Sequence, residues 1–126
     1  MLVLLVEDEP VISLAIQETL SELGHTPLAA RTNAEAALII ESHHIDVAVL
    51  DVSLPDGLCL GLARLLTEKQ VPFAFSTGRG PEVIAGFADA PVLSKPFDDA
   101  RLQAVLETLR PHIRNQPQLT DDNLSG

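Results

Sequence analysis

One cysteine, Cys59, stands alone among 126 residues and excludes an internal disulfide. Basic side chains are also scarce: eight Lys and Arg face eighteen Asp and Glu, a net charge of −10 that repels phosphate backbones and anionic lipid. Direct nucleic-acid binding and membrane association are therefore not expected. No apolar run is long enough to cross a bilayer. The apolar start, Met1 to Val6, meets Glu7, Asp8 and Glu9 at once and has no basic flank, unlike a secretory signal, so residence in the cytoplasm is expected. Tryptophan and tyrosine are absent, and the 3% of aromatic residues are four phenylalanines. What remains is 46% apolar and 21% charged, a globular balance for one domain.

Along the chain, short apolar runs alternate with segments of helical period. Leu2 to Val6 reads as a strand buried on both faces. Pro10 opens a helix with Val11, Ile12, Ala15, Ile16, Leu20 and Leu23 at helical spacing, and Gly24 is its expected C-terminal cap. Thr26 to Ala30 is a second strand, and Thr32 with Glu35 has capping-box spacing for a helix to about Glu41. Val47 to Leu50 is a third strand ending at Asp51. The turn Pro55-Asp56-Gly57 and a helix from about Leu58 to Glu68 follow. Phe73 to Ser76 and Pro91 to Ser94 are the fourth and fifth strands. A last helix, capped by Asp98 or Asp99, is expected to stop before Pro111. This alternation predicts an α/β fold, a parallel sheet with helices on both faces and a ligand site at the strand C-termini. Residues from about Asn115 to Gly126 read as a frayed tail.

That sheet edge gathers Glu7, Asp8 and Asp51. Two like charges 4 Å apart cost ~1 kcal/mol in water and ~4 kcal/mol at intermediate dielectric, so the cluster calls for a neutralising cation. Mg2+ suits it, since that ion takes oxygen ligands, one or two carboxylates and a phosphoryl oxygen. Phosphoryl transfer to a carboxylate needs an oxygen nucleophile, a metal and donors for the phosphoryl oxygens. Asp51 can be the nucleophile; Asp8, Asp51 and a nearby backbone carbonyl can hold the metal; Thr77 and Lys95 can supply a hydroxyl and an ammonium. Each residue alone has an ordinary reading as a loop acid, turn residue or surface lysine. Such residues at four of the five strand ends of one βα pattern do not.

The Glu7-Asp8 pair, Asp51 with Pro55 and Gly57 after it, Ser76-Thr77-Gly78, and Lys95-Pro96-Phe97 together resemble the receiver domain of two-component response regulators over residues 1 to 111. The resemblance implies a flavodoxin-like (βα)5 fold and a receiver domain at 1–111, with a short polar tail at 112–126 and no effector domain. It makes Asp51 the phosphoacceptor, Asp8 a direct ligand of Mg2+, Glu7 a ligand through water and the Ser53 carbonyl the third protein ligand. It makes Thr77 the hydroxyl that binds the phosphoryl group and Lys95 its ammonium partner, with the Lys95-Pro96 bond usually cis in the family. Pro72-Phe73-Ala74-Phe75-Ser76-Thr77-Gly78-Arg79-Gly80 is similar to the "FAT GUY" subgroup, with Ser76 in place of Ala and Arg79 in place of the usual Tyr. The implied partners are a histidine kinase or phosphotransfer protein and an unidentified downstream protein.

Several positions depart from the common pattern. Val92, three before Lys95, occupies a position where many receivers carry the ring that rotates inward on activation, so the signal is expected to pass through the Thr77 to Gly80 loop and backbone packing. The interval from Thr77 to Lys95 is shorter by roughly one helical turn, so the fourth helix is expected to be short or irregular. Arg79 and Ser53 are expected to flank the phosphoryl group and set its lifetime. His25, His43 and His44 fall at helix ends without metal-site spacing, and His112 lies near the tail. Cys59 reads as a core or boundary residue, and Gly78-Arg79-Gly80 is not a dinucleotide loop because Val83 stands where a third small residue is needed. The leading reading is a single-domain response regulator, a phosphoacceptor rather than an enzyme, whose output is a controlled protein contact or onward passage of the phosphoryl group. The alternatives are a small phosphohydrolase with Asp51 as nucleophile, which lacks a second Asp at Ser53, and an interaction module that is never phosphorylated.

Overall fold

Five parallel strands form the central sheet in the order β2-β1-β3-β6-β7, where β1 is Leu2–Val6, β2 Thr26–Ala30, β3 Val47–Asp51, β6 Phe73–Thr77 and β7 Val92–Ser94. A small antiparallel hairpin, β4 (Ser53–Leu54) and β5 (Gly57–Leu58), follows β3. The helices are α1 (Pro10–Glu22), α2 (Asn33–Ser42), α3 (Leu60–Glu68) and α4 (Asp99–Arg114). The structure, a computed structural model, describes residues 1–78 and 86–114, with the backbone alone for 111–114. The fold class expected from the alternation is the one observed. The short or irregular helix expected between β6 and β7 falls largely on 79–85, outside the described residues, as does Arg79.

The all-apolar strands are explained by burial on both faces. Leu4, Val6, Leu50 and Phe75 pack under α2 and α3 with Ile40, Leu62 and Leu66. Their neighbours Val3, Leu5, Val49 and Ala74 pack under α1 and α4 with Ile16, Leu20, Leu102 and Leu106. Alternate residues of each strand thus serve opposite layers. By the same alternation Glu7 and Asp51 continue the α1–α4 layer at the strand ends, while Thr77, two residues after Phe75, continues the α2–α3 layer.

Helix ends follow local chemistry. Pro10 occupies the first turn of α1, where no intrahelical N–H is required. At its other end Gly24, at φ +90°, donates to Ser21 and the next N–H, of His25, reaches back to Leu20, a Schellman closure. Thr32 caps α2 by accepting from the Glu35 N–H at 3.1 Å, while the Glu35 carboxylate accepts from Arg31 N–H rather than from Thr32 itself. Two helix boundaries differ from expectation. α3 begins at Leu60 because Gly57, at φ +126°, closes the β4–β5 hairpin and draws Leu58 into it. α4 runs through Pro111 to Arg114, since a proline forfeits its own N–H bond while the residues beyond it can still bond to the preceding turn.

A contact not legible in the sequence joins the hairpin to α2. Asp56 Oδ1 accepts from the Asn33 backbone and side-chain N–H groups at 2.9 and 3.1 Å, and Oδ2 accepts from the Ala34 N–H at 3.2 Å. A residue expected only to shape a turn is therefore a second cap for α2. Bonds from Asn33 hold its carboxyl below the ordinary 3.8, against a smaller desolvation effect, with Ala34 adding to them. A lowered folded-state value means that the contribution is present above the unfolded value and lost as the pH falls through the folded one. Replacing Asp56 by Ala should lower the thermal midpoint at pH 7, with the difference from the parent shrinking below pH 4; circular dichroism melts across pH check this.

Candidate phosphoryl-acceptor site

Four strand ends build the site. Glu7 directly follows β1, Asp51 ends β3, Thr77 ends β6, and Lys95 directly follows β7. Parallel pairing sets their level: Val6 lies beside Leu50, Asp51 beside Ser76, and Thr77 beside Ser94. The Lys95 N–H donates to the Thr77 carbonyl at 2.7 Å, extending the β6–β7 pairing by one bond. The Lys95-Pro96 peptide is cis.

Lys95 is the electrostatic centre. Its Nζ lies 2.6 Å from Glu7 Oε1 and 3.1 Å from Asp51 Oδ2. Glu7 is almost wholly buried, and its second oxygen, Oε2, accepts from the Glu9 N–H at 3.0 Å. The second oxygen of Asp51, Oδ1, accepts from the Ser53 N–H at 3.2 Å. Burial raises the Asp51 carboxyl above its ordinary value, outweighing the bond and charge of Lys95, and the charge of Glu7 pushes the same way. Burial alone would lower the Lys95 ammonium, but bonds to Glu7 and then to Asp51 raise it above its ordinary value. Burial thus sets the direction for Asp51, and the two carboxylates set it for Lys95.

Asp8 completes the acidic group. One oxygen from each of Glu7, Asp8 and Asp51 lies within 4.8 Å of the others, spacing compatible with shared cation ligands. Thr77 is buried beside them at the end of β6. Ser53 is exposed on the hairpin, with its backbone held to Asp51. The chain thus brings together Glu7, Asp8, Asp51, Ser53, Thr77 and Lys95. Val92 lies beside Phe75, on the layer opposite to Glu7 and Asp51. Around Phe75 the rings of Phe73 and Phe87 lie edge-on at centroid distances of 5.4 and 5.9 Å. Cys59 is buried, and burial pushes its thiol up to about 11, so it remains an apolar packing group.

Removal of Lys95 leaves two carboxylates in the pocket without a counter-charge. Replacing it by Met should cost about 2–3 kcal/mol of stability at pH 7, below the ~3–5 kcal/mol of a wholly enclosed pair because this one opens to solvent. The deficit should shrink as the pH falls and the carboxyls take up protons, and also on adding Mg2+. Urea unfolding followed by circular dichroism measures both.

The response regulator receiver domain model matches residues 3–107. Among curated proteins the chain is 33% identical over 111 residues to the phyllosphere-induced regulator PhyR of Methylorubrum extorquens, covering 82% of this chain and 41% of that protein. It is 35% identical over 116 residues to the two-component response regulator PhoP of Pseudomonas aeruginosa, covering 86% and 51%. The chain therefore spans about half the length, or less, of these relatives. Among solved structures it resembles SdrG of Sphingomonas melonis Fr1, with 36% identity, a TM-score of 0.78 and coverage of 87% and 96% of the two chains. The Mg2+–BeF complex of TrrA from Thermotoga maritima shares the fold at 24% identity and a TM-score of 0.77, covering 86% and 97%. Among the described residues no helix is long and apolar enough to cross a membrane. The chain belongs to the response regulator receiver domain family, the signalling modules of two-component systems.

Proposed function

We propose that this chain is a Mg2+-dependent phosphoacceptor that takes a phosphoryl group on Asp51 from a phosphohistidine donor. The observation that carries the reading is the Lys95 ammonium held between Glu7 and Asp51, with Asp8 alongside. Three carboxylates and one ammonium leave the pocket two charges negative, a deficit that one divalent cation offsets.

Asp8 and Asp51 would hold the ion directly with the Ser53 carbonyl. Glu7 would act through water, because Lys95 and the Glu9 N–H already occupy its two oxygens. The bound ion would supply positive charge against the phosphoryl oxygens. An Asp51 oxygen attacks phosphorus in line as the donor's P–N bond breaks, and the imidazole nitrogen leaves with the electron pair. Thr77 and Lys95 then hold phosphoryl oxygens by hydroxyl and ammonium. Domain limits at 1–111 and a polar tail at 112–126 belong to the same proposal, as do Arg79 and Ser53 as modulators of acyl-phosphate lifetime.

The donor must bring its imidazole to the Asp51 mouth. Helix α1 begins three residues after Glu7 and exposes Val11 and Leu14, at 80% and 59% of their surface, which suits an apolar partner helix.

Two experiments test the reading. Incubation with acetyl phosphate and Mg2+ should add one base-labile phosphoryl group by intact mass, lost in Asp51→Asn and in chelator. Consumption of the donor with no adduct on the wild type would favour the phosphohydrolase instead. With a cognate kinase, Val11→Glu and Leu14→Glu should slow phosphotransfer at least about tenfold while labelling by acetyl phosphate stays unchanged; equal kinase rates would exclude α1 as the docking face.

A further inference from the structure

Ser76 lies beside Asp51 and is unused by the chemistry described so far. It is 3% exposed, and its hydroxyl has no hydrogen-bond partner among the described residues. Its backbone carbonyl is occupied by the Val52 N–H at 3.0 Å, so the orphan is the side chain alone. Ser76 is the register partner of Asp51 on one side and of Leu93 on the other. In-register neighbours on parallel strands share a face about 4.8 Å apart. The packing agrees: Ala74, two residues before Ser76, joins Val49, two before Asp51, in one core layer with Leu93. The unpaired hydroxyl therefore sits next to the Asp51 carboxylate on its own side of the sheet, in a place where an unpaired donor destabilises the fold.

In the unphosphorylated pocket both Asp51 oxygens are satisfied, Oδ2 by Lys95 and Oδ1 by the Ser53 N–H. Phosphorylation would change that count. Lys95 would turn to the phosphoryl oxygens, and the acyl oxygen it leaves would keep one lone pair for the metal and have the other open to a donor. Ser76 is a buried donor without an acceptor among the described residues, on the neighbouring strand at the same level.

We propose that Ser76 is a further catalytic residue, its hydroxyl donating to the acyl oxygen of phosphorylated Asp51 and promoting loss of the phosphoryl group. The inference rests on the phosphoacceptor reading above. In hydrolysis a water oxygen bonds to phosphorus and the bond from phosphorus to the Asp51 oxygen breaks. The electron pair returns to Asp51 as carboxylate, and phosphate leaves with a proton released. Negative charge on the acyl oxygen grows along this path, so a donor there binds the transition state more strongly than the acyl phosphate.

Ser76→Ala tests this with two readouts. Without phosphodonor, the variant should melt at or above the wild-type temperature, since it removes a hydroxyl that has no partner among the described residues. After labelling with acetyl phosphate and Mg2+ and removal of the donor, its acyl phosphate should survive about three- to tenfold longer. In infrared difference spectra its acyl C=O stretch should move to higher frequency, because the hydrogen bond is gone. A clearly lower melting temperature would show that the hydroxyl is already bonded in the resting protein, and would overturn the proposal. So would a lifetime within twofold of wild type, or a shorter one. Failure of the wild type to form any Asp51 adduct would overturn the phosphoacceptor reading itself, an outcome separate from a labelled wild type that Ser76→Ala leaves unaltered.

Discussion

Lys95 holds the C-terminal edge of the sheet together by placing one ammonium within 2.6 Å of Glu7 and 3.1 Å of Asp51. Each carboxylate ends or follows a strand that is apolar throughout its buried length, so each is delivered to the site by the burial of the residues before it. Like charges at such separations repel by about 4 kcal/mol at intermediate dielectric. The sheet can bring these groups together only because β7 ends where its next residue carries the opposite charge. The Lys95 N–H bond to the Thr77 carbonyl fixes that residue at the correct height.

The same charge balance describes the chemistry. A pocket two charges negative favours a divalent cation, and with the cation present it favours a dianionic phosphoryl group. Lys95 is the partner of the carboxylates in this structure, and in the proposed chemistry it would be the partner of phosphoryl oxygens. Around it, the hairpin that follows Asp51 is braced on α2 by Asp56, and the Ser53 N–H in that hairpin bonds to Asp51.

Scarcity of aromatic residues acquires a structural meaning. Phe73, Phe75 and Phe87 form one edge-on group, and Phe97 packs against the other core layer. Position 92 on β7 is a valine packed on the aromatic side of the sheet. The rings therefore lie in the core beside β6 and its following segment, and none is supplied by β7.

Much of this was legible in the chain. Five strands, the α1 cap at Gly24 and the strand-end positions of Glu7, Asp51, Thr77 and Lys95 follow from apolar runs that stop at polar or turn-forming residues. The period of burial dictates them locally. Less local features were hidden. Leu58 joins a hairpin instead of α3 because of its cross-strand partner, and Pro111 lies inside α4 because one lost N–H bond does not end a helix. Asp56 looked like a turn residue, since nothing in Pro55-Asp56-Gly57 names a helix more than twenty positions earlier. Ser76 was visible as a departure from a motif, but its hydroxyl could not be seen to lack a partner before its strand was set beside β3 and β7. Sequence by itself determined which residues reach the sheet edge, because burial acts through neighbours in the chain. Tertiary structure alone decided which of them share an ion pair or a hydrogen bond, because those depend on distances between strands that the chain order does not contain.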